Sequence, residues 1–123
     1  MSRYYTEDHE WLEVENNIVT IGISSHAVDE LGEIVFVELP DPGVKVDKGA
    51  EFASVESVKT VSGIYSPLEG EVLESNQIVL DSPEIINQSP YESGWLIRIE
   101  TNQVDYLNDL MDEAAYQAYL QTI

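Results

Sequence analysis

Between Gly43 and Glu74 the chain is interrupted at Gly43, Gly49, Gly63, Pro67 and Gly70, with β-branched and apolar residues filling the gaps. Glycine and proline weaken or end helices, so no helix of useful length fits between breaks this close. Short strands do fit, and short strands separated by turn residues predict a small sandwich or barrel. At 123 residues and 43% hydrophobic, the chain is long enough for one domain over one core, expected at about residues 18–100.

The flanks carry different periods. In "EWLEVENNIVTIGI" (10–23) two alternating runs meet at Asn16-Asn17, a pair that tolerates the positive φ of a tight hairpin. "SSHAVDELG" predicts a short helix, capped by Ser24 or Ser25 and ended by Gly32. The continuous apolar run "IVFVEL" (34–39) predicts a strand buried on both faces. Residues 76–94 carry two prolines and predict a loop-rich connection, and "WLIRIE" predicts a strand with Trp95, Ile97 and Ile99 on one face. From 102 to 120, Leu107, Leu110, Met111, Ala115, Tyr116, Tyr119 and Leu120 recur at helical spacing, predicting one or two short amphipathic helices.

Charge narrows the partners. With 24 acidic against five basic residues the formal charge is −19, which argues against nucleic acid and anionic membrane and favours a basic protein face. No cysteine is present, so neither disulfides nor thiolate metal clusters hold the fold, as suits a reducing compartment. The N-terminus lacks the apolar segment of a signal peptide, and no apolar run reaches the roughly 20 residues of a membrane span. The expectation is a cytoplasmic monomer. His9 and His26 are the only histidines; no nucleophile–base set surrounds them, and no metal site is expected. Acidic pairs such as Asp29-Glu30 or Asp112-Glu113 are what chance supplies among 24 acids. An enzyme in its own right is therefore not expected.

One of only three lysines, Lys59, stands alone in "SVESVKTVSGIYSPLEGEV" (54–72) between two strand-like runs, at or near a hairpin tip. Geometry alone allows a solvated turn lysine or a primary amine presented for acylation. Its isolation, Glu56 three residues before it, and Gly70 with Ser66-Pro67 pinning the returning strand add weight to the second reading without closing the first.

"VESVKT" followed by "YSPLEGEV" resembles the lipoyl-attachment motif of the glycine cleavage system H protein family. "HEWLEV", "VTIGISSHAVDELGEIVFVELPDPG" and "PEIINQSPYESGWLIRI" resemble the family's other segments in the same order, so the likeness covers about Tyr5 to Leu120. It implies a mostly β lipoyl-domain barrel-sandwich hybrid, with a short helix in the N-terminal half and amphipathic helices at the C-terminal end. It implies lipoate joined by an amide to Lys59, with Glu56, Gly70 and Gly43 serving modification recognition and turn geometry. The implied role is a shuttle: glycine decarboxylase, a pyridoxal-phosphate enzyme, loads methylamine on the arm. An aminomethyltransferase then passes the one-carbon unit to tetrahydrofolate, and dihydrolipoamide dehydrogenase reoxidises the arm. A lipoate ligase or a lipoyl/octanoyl transferase would attach it. Glu10 matches a family position near the groove that shelters the loaded arm, and Asp8 is a second candidate. Where the family commonly has Ser-Asp, this chain has Ser62-Gly63, which removes one carboxylate from that groove.

Related carriers fit less well. Biotin carriers place Met on both sides of the lysine, and 2-oxo acid dehydrogenase lipoyl domains place Asp before it; here the flanks are Val58 and Thr60. An H-like lipoyl relay or donor protein, or an unmodified binding scaffold, would use the same residues and stays open on sequence.

Overall fold

A computed structural model describes residues 3–102 and 106–123. Among the described residues, nine strands form two sheets, and four short α-helices and one 3-10 turn accompany them. In the N-terminal part, β1 (Arg3–Tyr5), β2 (Glu10–Glu15) and β3 (Ile18–Ile23) form an antiparallel meander. The β2–β3 hairpin turns at Asn16-Asn17, with Asn16 at φ 57. Helix α1 (Ser25–Leu31) follows. The Ser24 side chain accepts a hydrogen bond from the Ala27 N–H, and Gly32 at φ 81 ends the helix.

Beyond α1 the chain alternates between the sheets. The strands β4 (Ile34–Glu38), β6 (Glu51–Ser57) and β7 (Val61–Tyr65) form a three-stranded sheet in the order β4-β6-β7. The strands β5 (Lys45–Val46), β8 (Gly70–Ser75) and β9 (Ile97–Glu100) complete a six-stranded sheet in the order β1-β2-β3-β9-β8-β5. The expectation of a mostly β protein with flanking helices therefore holds. Buried faces of both sheets meet in one core that includes Leu12, Ile21, Ile23, Val55, Leu68, Val72, Ile97 and Ile99. Burying each such side chain contributes about 1.5–3 kcal/mol.

Several expectations need correction. Strand β4 is not buried on both faces: Ile34 and Val37 are buried, while Val35 and Phe36 are exposed. It is an edge strand, and a bulge between Ile34 and Phe36 interrupts its alternation. The 76–94 connection holds two short helices, α2 (Gln77–Asp81), capped by Asn76, and α3 (Ile85–Gln88). Leu96, not Trp95, joins Ile97 and Ile99 in the core. Trp95 lies half-buried against a second cluster of Tyr5, Trp11 and Tyr116, and the Arg98 guanidinium lies 4.0 Å from its ring centroid.

Part of the C-terminal expectation, residues 103–105, lies outside the described residues. Beyond it stand a 3-10 turn (Tyr106–Asp109) and helix α4 (Glu113–Leu120). Tyr116 of α4 is buried and stacks on Tyr5, with ring centroids 4.1 Å apart, but Ala115 is exposed. Among the described residues no helix is long and apolar enough to cross a membrane.

Candidate functional site

Residues 58–60 join β6 to β7, and Lys59 at the apex is exposed. The turn is held from beneath by Ser57, which is buried. Its Oγ accepts from the backbone N–H of Lys59 and of Thr60, both at 3.1 Å, and donates to the Thr60 carbonyl at 3.3 Å. The Ser57 N–H donates to the same carbonyl at 2.8 Å. A further bond from the Val58 N–H to the Glu33 carbonyl, 3.0 Å, ties the turn to the α1–β4 junction. The backbone that carries the amine is thus fixed at both shoulders, while the amine itself makes no ion pair among the described residues. Its stem runs past Gly32: a Cβ there would come within 3.2 Å of Lys59 Cε.

Beside the turn, along the free edge of β7, lies a cleft of about 370 Å³. Ile23, Ala27, Leu31 and Ile64 supply apolar surface; Asp8, Glu10, Glu30, Thr60 and Ser62 supply the polar groups. Glu10 is only 3% exposed. Its carboxyl accepts from the Thr6 hydroxyl at 2.7 Å and from the Tyr65 backbone N–H. Burial pushes its pKa up from 4.5 to about 7. The Thr6 and Tyr65 bonds pull down against that, and the neighbouring Asp8 pushes further up. Asp8 itself is exposed.

The structure brings Lys59, Glu10 and Asp8 to one side of the molecule by placing the cleft next to the turn. Glu56 stands on β6 three residues before the lysine, exposed, with Phe36 and Val61 as its cross-strand partners. Gly43 and Gly70 lie elsewhere, at the β5–β8 end of the six-stranded sheet. Gly43, at φ 93, is a turn glycine, and its N–H bonds the Val72 carbonyl at 2.7 Å. Gly70 is not in a turn: it opens β8, and a Cβ there would meet Ile99 Cγ2 at 2.2 Å and the Glu100 carbonyl at 2.6 Å. Close packing on β9 is its physical reason. At Gly63 the Glu51 carboxylate lies where a side chain would stand, 1.9 Å from an ideal Cβ.

Two features escaped the sequence reading. Ser57, the last residue of β6, carries the turn, and nothing in the strand-like run around it set it apart. The two histidines also meet, with ring centroids 4.5 Å apart. His9 lines the cleft at φ 70, and its Nδ1 shares a 2.8 Å hydrogen bond with the Tyr116 hydroxyl, which also contacts Ser24 Oγ at 2.7 Å. Burial and the facing His26 hold the His9 pKa below its ordinary value. Helix α4 is thereby linked to the residue that precedes Glu10.

A family model described as glycine cleavage H-protein matches residues 3–123. The chain belongs to the glycine cleavage H-protein family. The glycine cleavage system H protein of Staphylococcus saprophyticus subsp. saprophyticus is 51% identical over 112 residues, covering 91% of this chain and 89% of that protein. The one from Bartonella quintana is 47% identical over 117 residues, covering 95% and 96%. Among solved structures, the crystal structure of a glycine cleavage system H protein from Mycobacterium marinum superposes with a TM-score of 0.90. It is 36% identical and covers 98% of this chain and 97% of its own. As a family member the chain is a lipoyl carrier component of the glycine cleavage system and works with its enzymes, without being a catalyst itself. The residues at the turn fit that role: an exposed primary amine on a backbone braced by hydrogen bonds, next to a cleft with an apolar wall.

Proposed function

We propose that Lys59 is the lipoyl attachment site and that the cleft holding Glu10 receives the arm once it carries a cationic amine. The observation that carries this reading is the buried Glu10 carboxyl beside the exposed turn. A carboxyl nine-tenths or more removed from water, with a pKa near 7, is costly to ionise until a cation arrives to pair with it. A cationic amine in the cleft would lower the Glu10 pKa, so that the carboxyl releases its proton to solvent and pairs with the amine, while Ile23, Ala27 and Leu31 exclude water.

When attached, the dithiolane supplies the redox and carrier chemistry, taking methylamine from the glycine decarboxylase to the tetrahydrofolate-dependent aminomethyltransferase and then meeting dihydrolipoamide dehydrogenase. This chain's own residues position and shelter. Ser57 and Val58 hold the turn, Glu10 with Asp8 faces the amine, and Glu56, Gly43 and Gly70 serve recognition or turn and strand geometry. A flexible arm on a stiff turn raises the effective concentration of its tip at each docked enzyme. The protein acts as a monomer in the cytoplasm. A lipoate ligase or lipoyl/octanoyl transferase installs the arm.

The test is exchange of labelled bicarbonate into glycine by the decarboxylase with this protein as its only carrier. Lipoylated wild-type protein is expected to support exchange and Lys59→Arg to support none. Absence of exchange with the fully lipoylated protein overturns the shuttle reading and leaves a relay or scaffold.

A further inference from the structure

Four large apolar side chains crowd the shoulders of the Lys59 turn with little of their own chain covering them. Val58 and Val61 are each 63% exposed, Val35 45% and Phe36 51%. Phe36 is the cross-strand partner of Glu56, and Glu56 of Val61, so the three share one outer face, two strand spacings across. The β4 bulge breaks the alternation that would bury one of each neighbouring pair, and so leaves Val35 and Phe36 both outside. Single exposed apolar residues are ordinary; a group of four around one exposed amine marks an interaction surface.

We infer that this shoulder is the docking surface of the enzyme that acylates Lys59, and that the enzyme's matching face is apolar at its centre with Lys or Arg around it. The inference rests on reading Lys59 as the attachment site. Reach selects the occupant. A bare lysine carries its amine on four methylenes, so an enzyme bringing an activated carbonyl to it is pressed against the residues on either side. Enzymes that act later meet the far end of a long arm and have no such need. The stem of Lys59 strengthens this, because it lies along Gly32, at the α1–β4 junction from which Val35 and Phe36 follow directly. Charge sets the rim: Glu33, Glu38, Glu51 and Glu56 are all exposed around the apolar group, on a chain of formal charge −19.

The reaction served is acyl transfer without redox change. Neutral Nζ attacks the carbonyl carbon of an acyl adenylate, the C–N amide bond forms, and the acyl C–O bond to AMP breaks. The proton lost by nitrogen passes to a base of the enzyme.

The test uses the full chain, a purified ATP-dependent lipoate ligase, lipoate and ATP, with amide formation followed by intact mass. The double variant Phe36→Ser/Val61→Ser is compared with wild type and with Leu73→Ser, a 39% exposed apolar position on β8. The expected result is a KM for the protein raised about tenfold or more in the double variant, with kcat little changed and Leu73→Ser at the wild-type value. Labelling of Lys59 by N-hydroxysuccinimidyl acetate should stay at the wild-type rate, showing an intact turn. An unchanged KM, with the wild type acylated at Lys59, overturns the docking surface and leaves the attachment reading standing. A parallel fall in small-reagent labelling also overturns it, since the effect then comes from a distorted turn. Failure of the wild type to be acylated at Lys59 removes both readings together.

Discussion

The outer faces of the two sheets are finished in opposite ways. On the six-stranded sheet a single cross-strand row runs Arg3, Glu13, Thr20, Arg98, Glu74. Arg3 bonds Glu13 at 2.7 Å and Arg98 bonds Glu74 at 2.8 Å, and each guanidinium also covers an aromatic ring, Arg3 over Tyr91 and Arg98 over Trp95. On the three-stranded sheet the corresponding row is Phe36, Glu56, Val61, with no basic side chain between them. The first face satisfies its own charges and covers its own rings. The second, which carries Lys59 at its end, leaves apolar groups and carboxylates for something else to meet. Both arginines of the chain are spent on the face away from the turn.

The largest effect expected from breaking this arrangement is at Glu10. The gap between its ordinary 4.5 and about 7 in the fold corresponds to roughly 3 kcal/mol. The fold keeps the proton that the unfolded chain releases, so the stabilisation from the neutral carboxyl is complete below pH 4.5 and is lost as pH rises to 7. Glu10→Gln is therefore expected to be more stable than wild type by about 2–3 kcal/mol at pH 8 and nearly equal to it at pH 4. Urea melts at the two pH values check this; a gap that does not change with pH would show that Glu10 does not titrate as described.

A smaller loss is expected at the turn. Ser57→Ala removes the acceptor for two backbone N–H groups and should lower stability by about 1 kcal/mol. It should also slow acylation of Lys59 by the ligase, because a loosened turn presents the amine in many orientations. Wild-type acylation rates in this variant would show that the brace is irrelevant to presentation.

The smallest effects separate the two faces. Arg98→Ala, which removes an exposed ion pair and a ring contact, should cost about 1 kcal/mol, while Phe36→Ser should stay within about 0.5 kcal/mol. Equal costs in denaturant titrations would mean that the Phe36 face is built for stability and not for a partner.

What could be read in the sequence were the features with local causes. Asn16-Asn17 at the hairpin, Ser24 and Gly32 at the ends of α1, and the strand–turn–strand around Lys59 all depend on residues a few positions apart. What could not be read depends on distant partners. Strand β1 has three residues and no alternation; it exists because β2 lies beside it. The exposure of Phe36 depends on a bulge, and the placement of Trp95 on the distant Tyr5, Trp11 and Tyr116. The helices α2 and α3 were hidden by Pro83 and Pro90, although Asn76 is an ordinary cap signal. At the candidate site, the position of Lys59 at a hairpin apex was legible because strand-like runs flank it directly on both sides. The raised pKa of Glu10 was not, since it depends on burial and on Thr6, Asp8 and the Tyr65 backbone, which only the fold assembles.

The account stands or falls on Lys59 as the single acylated amine. Intact mass and peptide mapping of the full chain, after incubation with a lipoate ligase, lipoate and ATP, test it most directly. The predicted result is one lipoyl group per chain, located on Lys59 and lost in Lys59→Arg. No mass gain, or a lipoyl group on Lys45 or Lys48, would contradict it.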